Sequence, residues 1–371
     1  MIKILLIIPT LDQSGAEKQL ALLASRLPKD QFEVHVCALT RSGPYEDVLR
    51  EAGIPVTVIG KSWKADPFAY WRLRKFIQQL KPDIVHTWLF AANSYGRKAA
   101  LAAKVPHIIC GERCVDPWKA GYELFIDRYL DRSTDKIAVN SSGIQDFYVH
   151  KKRDANKFVV IPNGIEAPEL PSPDVLSVRK KALLEELGLP LDSRLLCTVG
   201  RLWPQKNMKD IIWAMDIMQR VRDDTHLLII GEGPQRWRLE RFAQQANVGP
   251  RVHFLGHRDD VRELLPLTDC FLLASGYEGQ SNALMEAMAA GLPAVVSDIP
   301  GNRDLVIHEE TGFTVPVGHR AEYGRLANKI LEDDQLRSKF GTNARQRILD
   351  HFTIDQMIQG HVDLYQQVMS K

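Results

Sequence analysis

Short apolar runs alternate with longer stretches in which apolar residues recur at helical spacing, from one end of the chain to the other. This alternation of buried strands with amphipathic helices favours an α/β fold built on parallel sheets. In the first half the pattern predicts strands near residues 2–8, 32–39, 54–59, 83–87, 107–110, 136–140 and 158–161. Helices are predicted between them, for instance at 16–27, 66–80, 92–103 and 118–131.

The second half repeats the alternation after a short proline-rich stretch, which is typical of a linker between domains. The prolines of this stretch are Pro162, Pro168, Pro171 and Pro173. Beyond it, strands are predicted near 195–199, 226–230, 251–255, 269–273, 294–297 and 313–316. We therefore predict two Rossmann-like, doubly wound domains, residues 1–170 and 171–352. The helical pattern of 353–371 is a candidate to pack back on the first domain.

The composition adds limits on location. The 371 residues suffice for two domains, and the 45% hydrophobic and 25% charged content is typical of a soluble globular protein. The apolar stretch Met1–Ile8 ends at Pro9 and lacks the layout of a signal peptide. No later stretch has the roughly 18 apolar residues that a membrane span requires. We therefore expect a cytoplasmic protein, attached at most to the inner face of the cell membrane.

The cysteines do not form a recognisable framework. They are odd in number and mostly lie inside apolar strand-like runs, so disulfides are not expected. They are Cys37, Cys110, Cys114, Cys197 and Cys270. The close pair Cys110 and Cys114 could form half of a metal site, but no second pair accompanies it.

Charge is unevenly distributed between the two halves. Residues 1–170 hold 24 Lys and Arg against 19 Asp and Glu, whereas the remainder holds 24 against 27. The mildly basic front half is compatible with an anionic lipid surface or a phosphorylated acceptor as partner. The formal net charge of +2 gives no reason to expect a nucleic-acid partner.

One stretch, residues 273–296, combines strand, loop and helix signals with two carboxylates. Ser281 is predicted to cap a helix over about 282–290, and Gly291 follows its end. The N-terminus of a helix offers free N–H groups and partial positive charge, so it can hold a phosphate or diphosphate. Glu278 before the helix and Glu286 within it would then flank that group, as suits a nucleotide sugar. Two solvated glutamates beside a capped helix are the alternative.

Polar or glycine-rich loops follow the other predicted strands of the second domain. Because ligands bind outside the carboxyl ends of parallel strands, these loops are expected to share one nucleotide-sized site. They carry Gly200, Arg201 and Lys206 on one loop, Gly231 and Gly233 on the next, and Gly256 on a third. In the first domain, Gly15 lies at the start of a helix after the first strand.

A diphosphate bound by the loops of the second domain needs positive charge, either from a metal ion or from side chains. The sequence contains no Asp-x-Asp, so a metal-held diphosphate of that kind is not supported. Arg201 and Lys206 could supply fixed cations for a leaving diphosphate, although two solvated surface cations are the alternative. The segment Gly231-Glu-Gly-Pro234 lacks the third glycine and the acidic partner of a dinucleotide fingerprint, so hydride transfer is disfavoured.

Taken in order, these motifs resemble those of family 4 retaining glycosyltransferases, which have the two-Rossmann GT-B fold. Glu278-Gly-Gln-Ser-Asn-Ala-Leu-Met-Glu286 matches the family's Glu-x7-Glu motif. The other matching segments are Gly200-Arg201 with Lys206, Gly231-Glu-Gly-Pro234, Ile161-Pro-Asn-Gly-Ile165 and the glycine loop at 14–17. The resemblance covers nearly the whole chain, is strongest from 158 to 316, and implies two domains that face each other across a cleft.

The resemblance implies that a sugar is transferred from a nucleoside-diphosphate donor, such as a UDP- or GDP-sugar, with retention of configuration and without a metal or other cofactor. It assigns binding and departure of the diphosphate to Arg201 and Lys206. It assigns the transferred sugar to Glu278 and the ribose to Glu286. Further donor contacts are implied at Gly15, Gly200, Gly231, Gly233, Gly256, Gly279, Ser281, Asn282 and Ala283.

One departure from the family pattern concerns the fourth strand. Many members carry His-x-His there, with the second histidine near the reacting carbon, whereas this chain reads Val85-His-Thr-Trp88. His86 is therefore a candidate catalytic residue that either lines the cleft or packs below it. Glu112 and Arg113, after the next strand, are alternative polar residues of the cleft.

Three functions fit the sequence. The first is a glycosyltransferase whose acceptor is lipid-linked, a polysaccharide or a small molecule. The second is a nucleotide-sugar 2-epimerase of the same fold, which would convert the donor without an acceptor. The third is a non-catalytic nucleotide-sugar-binding protein, which the intact set of polar residues disfavours.

Residues 61–80 interleave aromatic residues with Lys and Arg, which suggests contact with an anionic membrane. A helix from about Asp66 to Leu80 would place Trp71, Arg74, Lys75 and Gln78 along one face. Such a basic, aromatic face can lie in the headgroup region of a bilayer. The alternative is a helix that packs its apolar residues on the sheet and turns its cations to water.

Overall fold

The computed structural model describes residues 1–117 and 119–370, and its backbone divides into two compact units. Unit 1 contains Met1–Gly164 together with the C-terminal segment from Ile354, and unit 2 contains Ile165–Thr353. The division falls at 164/165, whereas the prolines suggest 170/171. The difference arises because Ile165 already pairs with Thr353 in a parallel bridge, so the chain enters unit 2 inside the proline-rich stretch, after Pro162.

Unit 1 is built on a sheet of parallel strands. The strands in the described part are β1 (Ile2–Thr10), β2 (Phe32–Arg41), β3 (Val56–Val58), β4 (Ile84–Trp88), β5 (His107–Glu112), β6 (Lys136–Val139) and β7 (Phe158–Val160). Their order across the sheet is β3-β2-β1-β4-β5-β6-β7. The central residues Ile4–Ile8 are fully buried, because both faces of a doubly wound sheet are covered by helices.

Helices alternate with these strands along the chain. They are α1 (Gly15–Arg26), α2 (Tyr45–Glu51), α3 (Pro67–Leu80), α4 (Leu89–Ala102), α5 (Gly121–Asp131) and α6 (Ser142–His150). The start of α3 follows from its sequence, since the side chain of Asp66 accepts from the N–H of Ala69 at 2.9 Å and Pro67 occupies the first turn.

Unit 2 has the same construction. Its described strands are β8 (Arg194–Val199), β9 (Thr225–Ile230), β10 (Val252–Gly256), β11 (Cys270–Leu273), β12 (Ala294–Ser297) and β13 (Gly312–Val315). They lie in the order β10-β9-β8-β11-β12-β13, again all parallel. The helices are α7 (Pro173–Glu186), α8 (Met208–Met218), α9 (Arg236–Gln245), α10 (Val261–Leu264), α11 (Asn282–Ala289), α12 (Pro300–Arg303), α13 (Arg320–Glu332) and α14 (Asp334–His351).

The last helix, α15 (Ile354–Met369), belongs to unit 1. Its buried face includes Met357, Val362 and Tyr365, which join the same hydrophobic core as β1, β2 and α1. The ring of Tyr365 meets the edge of Phe32 at a centroid distance of 5.9 Å. The chain therefore begins and ends in one unit.

The α/β architecture predicted from the alternation of apolar runs is confirmed, and each predicted strand is present with its ends within two residues of the prediction. The helix predicted at 92–103 begins earlier, at Leu89, because Leu89 takes a positive φ of 68° and turns the chain directly out of β4. Of the helical residues predicted at 118–131 and 353–371, Trp118 and Lys371 lie outside the described residues.

Two properties of the chain bear on its surroundings. The cysteines are all free thiols, as the sequence predicts, and four of them are buried. Among the helices of the described residues, none is long and apolar enough to cross a bilayer.

The sheet order locates the edges where a ligand can bind. In each unit the strand order reverses beside the first strand, at β1 and β4 in unit 1 and at β8 and β11 in unit 2. Ligands of open parallel sheets bind at such switch points, outside the carboxyl ends of the strands. The loops after β8, β9, β10 and β11 lie at this edge of unit 2.

Candidate active site

The N-terminus of α11 is built as the sequence predicts. The side chain of Ser281 accepts from the N–H of Leu284 at 3.4 Å, and α11 begins at Asn282. The helix ends before Gly291, whose φ of 78° is readily adopted by glycine. The loop from β11 therefore delivers Glu278 and Gly279 directly to the first turn of a capped helix.

Three glycine loops are packed backbone to backbone at the neighbouring strand ends. The N–H of Gly200 donates to Ile230 O at 2.9 Å, and the N–H of Gly231 donates to Gly256 O at 2.7 Å. A Cβ on Gly231 would lie 2.2 Å from the carbonyl oxygen of Gly200, and one on Gly233 would lie 2.6 Å from that of Leu202. Glycine is required at 231 and 233 because no side chain fits between these loops.

Lys206 and Glu278, two of the predicted site residues, are brought together by this packing. The Lys206 ammonium donates to Oε1 of Glu278, and the two side chains retain 16% and 11% of their exposure. The stem of Lys206 lies over Gly200, since a Cβ there would stand 3.4 Å from its Cε. A cation and a carboxylate thus occupy one partly enclosed place beside the start of α11.

Two polar side chains that flank Lys206 connect its loop to the loop of Glu278. The Gln205 side-chain amide donates to the backbone carbonyl of Tyr277 at 2.8 Å, and the Gln205 backbone carbonyl accepts from the N–H of Gly276 at 2.9 Å. Asn207, in the left-handed conformation with φ 46°, donates to Ala274 O at 3.2 Å. Sequence reasoning missed both residues, and their position beside Lys206 is the signal that could have found them.

Ser297 and Asn302 form hydrogen bonds that hold the start of the Glu278 loop. The hydroxyl of Ser297 donates to Ser275 O at 2.6 Å, and the amide of Asn302 donates to Ser297 O at 2.9 Å. At Gly301, an added Cβ would come within 1.6 Å of Gly279 O, so α12 begins in direct contact with that loop. These residues were also missed, because their partners are backbone carbonyls and leave no pattern in the sequence.

The remaining predicted residues of unit 2 lie on the same loops. Arg201 is exposed, and its guanidinium lies 5.7 Å from the ring centroid of Trp203. Within the described residues, no hydrogen bond or ion pair connects Arg201 to Lys206 or Glu278. Glu286 is half-buried on α11, one turn beyond the half-buried Asn282 and Ala283.

The predicted glycine of unit 1, Gly15, is the first residue of α1. The loop before it is held by Glu17, which accepts from the hydroxyl of Thr10 at 3.0 Å and from that of Ser14. The buried Gln19 exchanges two hydrogen bonds with the backbone of Gly164, at 2.8 and 3.0 Å. The end of unit 1 is thus tied to α1 by one amide side chain.

His86 lies in the core of unit 1 and is fully buried. Its Nδ1 is 2.9 Å from the hydroxyl of Tyr365, and its ring neighbours Trp88 and His361 at centroid distances of 5.4 and 5.9 Å. Burial lowers the pKa of His86 well below its ordinary value, and the nearby His361 and Arg113 lower it further. These are the surroundings of a neutral core histidine, packed within unit 1.

Glu112, an alternative candidate, is part of a buried cluster of charges in unit 1. It accepts from Arg153 at 2.7 Å and pairs with the Lys119 ammonium at 3.4 Å. Burial alone would raise the pKa of Glu112, but the positive charges of Lys119 and Arg153 lower it. Its partners therefore hold it as an ionised structural carboxylate.

A metal site is a separate question. Across residues 1–117 and 119–370, no three His, Cys, Asp or Glu side chains cluster so that they could hold an ion.

Comparison with known proteins relates both units to one class of enzyme. Unit 2 residues 179–347 match the family of glycosyl transferases group 1, and residues 13–167 match Glycosyltransferase Family 4. One relative is the UDP-Gal:alpha-D-GlcNAc-diphosphoundecaprenol alpha-1,3-galactosyltransferase of Escherichia coli, 29% identical over 358 residues. The match covers 91% of this chain and 90% of the relative.

A second relative acts on a similar kind of acceptor by its name. It is the N-acetylgalactosamine-N,N'-diacetylbacillosaminyl-diphospho-undecaprenol 4-alpha-N-acetylgalactosaminyltransferase of Campylobacter jejuni, 26% identical over 364 residues, with 94% of this chain and 95% of the relative covered. Among solved structures, Anabaena HepE in complex with UDP superposes with a TM-score of 0.87 at 21% identity, covering 99% of this chain and 100% of the other. At that identity the likeness shows the shared fold.

Proposed function

We propose that this chain transfers a sugar from a UDP-sugar to a lipid-linked diphosphate acceptor. Both of its units match glycosyltransferase families, and its fold is the GT-B fold. The observation that carries the proposal is the Lys206–Glu278 pair, held at the N-terminus of α11 by three glycine loops. The relatives from Escherichia coli and Campylobacter jejuni, which by name act on diphospho-undecaprenol acceptors, support the choice of acceptor.

In the proposed reaction, unit 2 stabilises the departing nucleoside diphosphate. The N–H groups at the start of α11, around Ser281 to Ala283, attract the phosphates together with the positive end of the helix dipole. Lys206 and the exposed Arg201 supply the positive charge that offsets the negative charge developing on the leaving oxygen. A contact of this kind is worth about 3 kcal/mol in the transition state.

The two carboxylates have separate tasks in this scheme. Glu278 accepts from hydroxyls of the transferred sugar, and its pairing with Lys206, the cation proposed for the diphosphate, supports this assignment. Glu286, on the helix itself, binds the ribose. We further propose that the anomeric configuration is retained, in keeping with the sequence resemblance, and that fixed cations take the role that a metal has in other transferases.

A binding and turnover series with the full chain tests the function. In a thermal-shift screen of nucleoside diphosphates we expect UDP to stabilise the protein, by about 2.7 kcal/mol at 100 times its dissociation constant. Lys206→Met should weaken that shift, whereas Lys209→Met, an exposed neighbour on α8, should not. Stabilisation by GDP and not by UDP would contradict the proposed donor.

Turnover separates the rival functions. We expect release of UDP from a UDP-hexose to require a diphosphate-linked lipid acceptor. Conversion of the donor in the absence of any acceptor would instead indicate an epimerase, and donor binding with no turnover on the lipid acceptor would indicate a non-catalytic binder. Loss of activity in EDTA that manganese restores would contradict the role given to Arg201 and Lys206.

We also propose that unit 1 docks on anionic membranes to reach this acceptor. Within the segment 61–80, Trp63, Phe68 and Trp71 expose 56%, 66% and 57% of their surface. The guanidinium of Arg74 lies 5.2 Å from the centroid of Trp71. Exposed aromatic rings beside cations are suited to the headgroup region of a bilayer.

The surface extends beyond α3 to α5. The Lys64 ammonium lies 2.7 Å from the hydroxyl of Tyr122, and Tyr122, Phe125 and Tyr129 expose more than half of their surface. The apolar residues Leu73 and Ile77 are buried against the sheet, so packing accounts for one face of α3 and leaves the aromatic face unexplained.

Co-sedimentation with anionic phosphatidylglycerol vesicles at low and moderate salt tests the docking. We expect binding that weakens as salt rises, because the attraction of Lys and Arg to the lipid is screened. An Arg74, Lys75 double alanine variant should bind more weakly, while a Lys209→Ala variant should bind as wild type does. A wild-type protein that stays in the supernatant at low salt would refute the proposal.

A further inference from the structure

Unit 1 contains several buried cations, and three of them are fully paired with carboxylates. Arg97 donates to Asp127 at 2.7 Å and to Asp131 at 2.8 Å. Arg153 donates to Asp131 and Glu112, both at 2.7 Å. The third, the Lys119 ammonium, lies 3.1 Å from the carboxylate of Asp127 and 3.4 Å from that of Glu112. Burial of charge in this unit is therefore normally accompanied by direct compensation.

Arg113 is the exception among these buried cations. It keeps only 7% of its exposure, and within the described residues no carboxylate lies within ion-pair distance of it. Its single described hydrogen bond runs from Nη2 to Oδ1 of Asn163, and its Nε is buried without a partner. The guanidinium lies 4.3 Å from the ring centroid of Trp88, which supplies a π-face and no counter-charge.

The titratable groups around Arg113 leave its charge uncompensated. His86 and His361 are neutral at pH 7, since burial lowers the pKa of His86 well below its ordinary value and that of His361 to about 3. Burial raises the pKa of Tyr365, so its phenol is neutral as well. Burial lowers the pKa of Arg113 to about 9, so the guanidinium is still positively charged at neutral pH.

The position of Arg113 is that of a ligand site. It follows the last residue of β5 directly, Asn140 follows β6, and Asn163 follows β7. The three side chains are connected, since the amide of Asn140 donates to the same Asn163 oxygen at 3.1 Å, and Oδ1 of Asn140 is buried without a partner. Trp88 ends β4 beside them. All four lie at the carboxyl edge of one parallel sheet, where such folds bind ligands.

We propose that Arg113, with Asn140 and Asn163, forms a phosphate-binding subsite in unit 1 that takes the diphosphate of the acceptor. A guanidinium presents two parallel N–H groups that match two phosphate oxygens, and a bound phosphate supplies the counter-charge that the described residues lack. The identity of the ligand as the acceptor rests on the proposed function, whereas the subsite itself rests on the unit 1 geometry alone.

Binding of inorganic pyrophosphate, measured by calorimetry on the full chain, tests the subsite without any turnover. The measurement is made in an Arg201→Ala, Lys206→Ala background, so that the cations of unit 2 do not contribute. We expect pyrophosphate to bind there, and Arg113→Met to weaken binding at least tenfold. Arg128→Met, which removes an exposed arginine of α5, is the matched control and should have no effect. Absence of binding in the background, or equal binding by the Arg113→Met protein, would overturn the proposal.

A second variant keeps the test decisive if Arg113→Met folds poorly. Asn140→Asp places a carboxylate on the side chain that shares the Asn163 oxygen with Arg113, so its negative charge should repel the anion and weaken pyrophosphate binding. Weaker folding with unchanged pyrophosphate binding would count against the subsite.

Two further binding measurements show whether Arg113 serves the donor or the acceptor, and whether it binds phosphate in preference to carboxylate. UDP binding to the Arg113→Met variant in the otherwise wild-type chain should be unchanged, and an equal loss of UDP affinity would show that Arg113 serves the donor. Malonate, a dicarboxylate, should bind at least tenfold more weakly than pyrophosphate, and equal binding would overturn the assignment to phosphate. Failure of UDP to bind wild type would refute the proposed donor while leaving the pyrophosphate result to decide the subsite.

Discussion

Replacing Lys206 by methionine removes one charge from the candidate site while keeping most of the side-chain stem over Gly200. The pair it forms with Glu278 is neither buried nor fully exposed, with 16% and 11% of the side chains accessible. Exposed ion pairs contribute about 0–1 kcal/mol, whereas breaking a buried pair costs about 3–5 kcal/mol. We therefore expect Lys206→Met to lower the free energy of unfolding by about 1–3 kcal/mol. In a unit of this size, each kcal/mol lost lowers the melting temperature by about 2–4 °C.

The effect on turnover should be larger than the effect on stability. If Lys206 stabilises charge on the leaving diphosphate, its loss costs about 3 kcal/mol in the transition state, or roughly a hundredfold in rate. The assay is release of UDP from a UDP-hexose, measured at a temperature well below the melting point of the variant. Lys209→Met, on an exposed turn of α8, is the control and should retain wild-type turnover.

A double-mutant cycle with Glu278→Gln separates the two contributions. Because the variants share one contact, the double variant should be more stable than the sum of the single effects predicts, by about 1–2 kcal/mol. Turnover should not recover in the double variant, since the charge on the leaving group is still uncompensated. Strictly additive stability effects would refute the pair, and a Lys206→Met rate within threefold of wild type would refute the catalytic role.

Three other expectations can be measured with the same protein. Glu286→Ala should weaken binding of free UDP, whereas Glu278→Ala should mainly weaken binding of the UDP-sugar, and equal effects on UDP in calorimetry would contradict this division. Gly231→Ala should lower the free energy of unfolding by about 2 kcal/mol or more, because its Cβ would stand 2.2 Å from the Gly200 carbonyl oxygen at a φ of 134°; an unchanged melting curve would disprove it. Burial raises the pKa of Asp116 to about 6, so the folded state favours its protonated form and loses about 3 kcal/mol as the pH rises from 4 through 6. Asp116→Asn should therefore be more stable than wild type above pH 6 and equal to it near pH 4, which denaturation at both pH values would check.

The positions of the strands could be predicted because a parallel sheet imposes a strong pattern. A central strand such as β1 is covered on both faces, so it must be apolar at every position, and Ile4–Ile8 is. The start of α11 was predictable for a local reason, since the Ser281 hydroxyl caps a backbone N–H three residues on. Helix starts were less certain, as Leu89 shows, because a positive φ in a branched residue has no sequence signature.

The proximity of Lys206 and Glu278 was predictable only through topology. They are 72 residues apart, and each follows a strand whose carboxyl end lies at one edge of the sheet. Topology alone does not predict the contacts of Gln205 and Ser297, because their partners are the backbone carbonyls of Tyr277 and Ser275. A hydrogen bond to a carbonyl demands a donor at one position and no particular residue at the other.

Glu112 and Arg113 are adjacent polar residues at the end of one strand, but they have different neighbours in the folded unit. Glu112 is the last residue of β5 and Arg113 follows it directly, and nothing in their sequence positions favours either residue as a ligand contact. In the structure, Glu112 turns into the cluster of Arg153 and Lys119, where two cations satisfy it. Arg113 turns the other way, onto Trp88, and meets neutral groups. The charge of Glu112 is already neutralised by two cations, whereas the positive charge of Arg113 is uncompensated and can attract an anionic ligand. Arg113 is therefore the residue to test for recognition of an anionic acceptor.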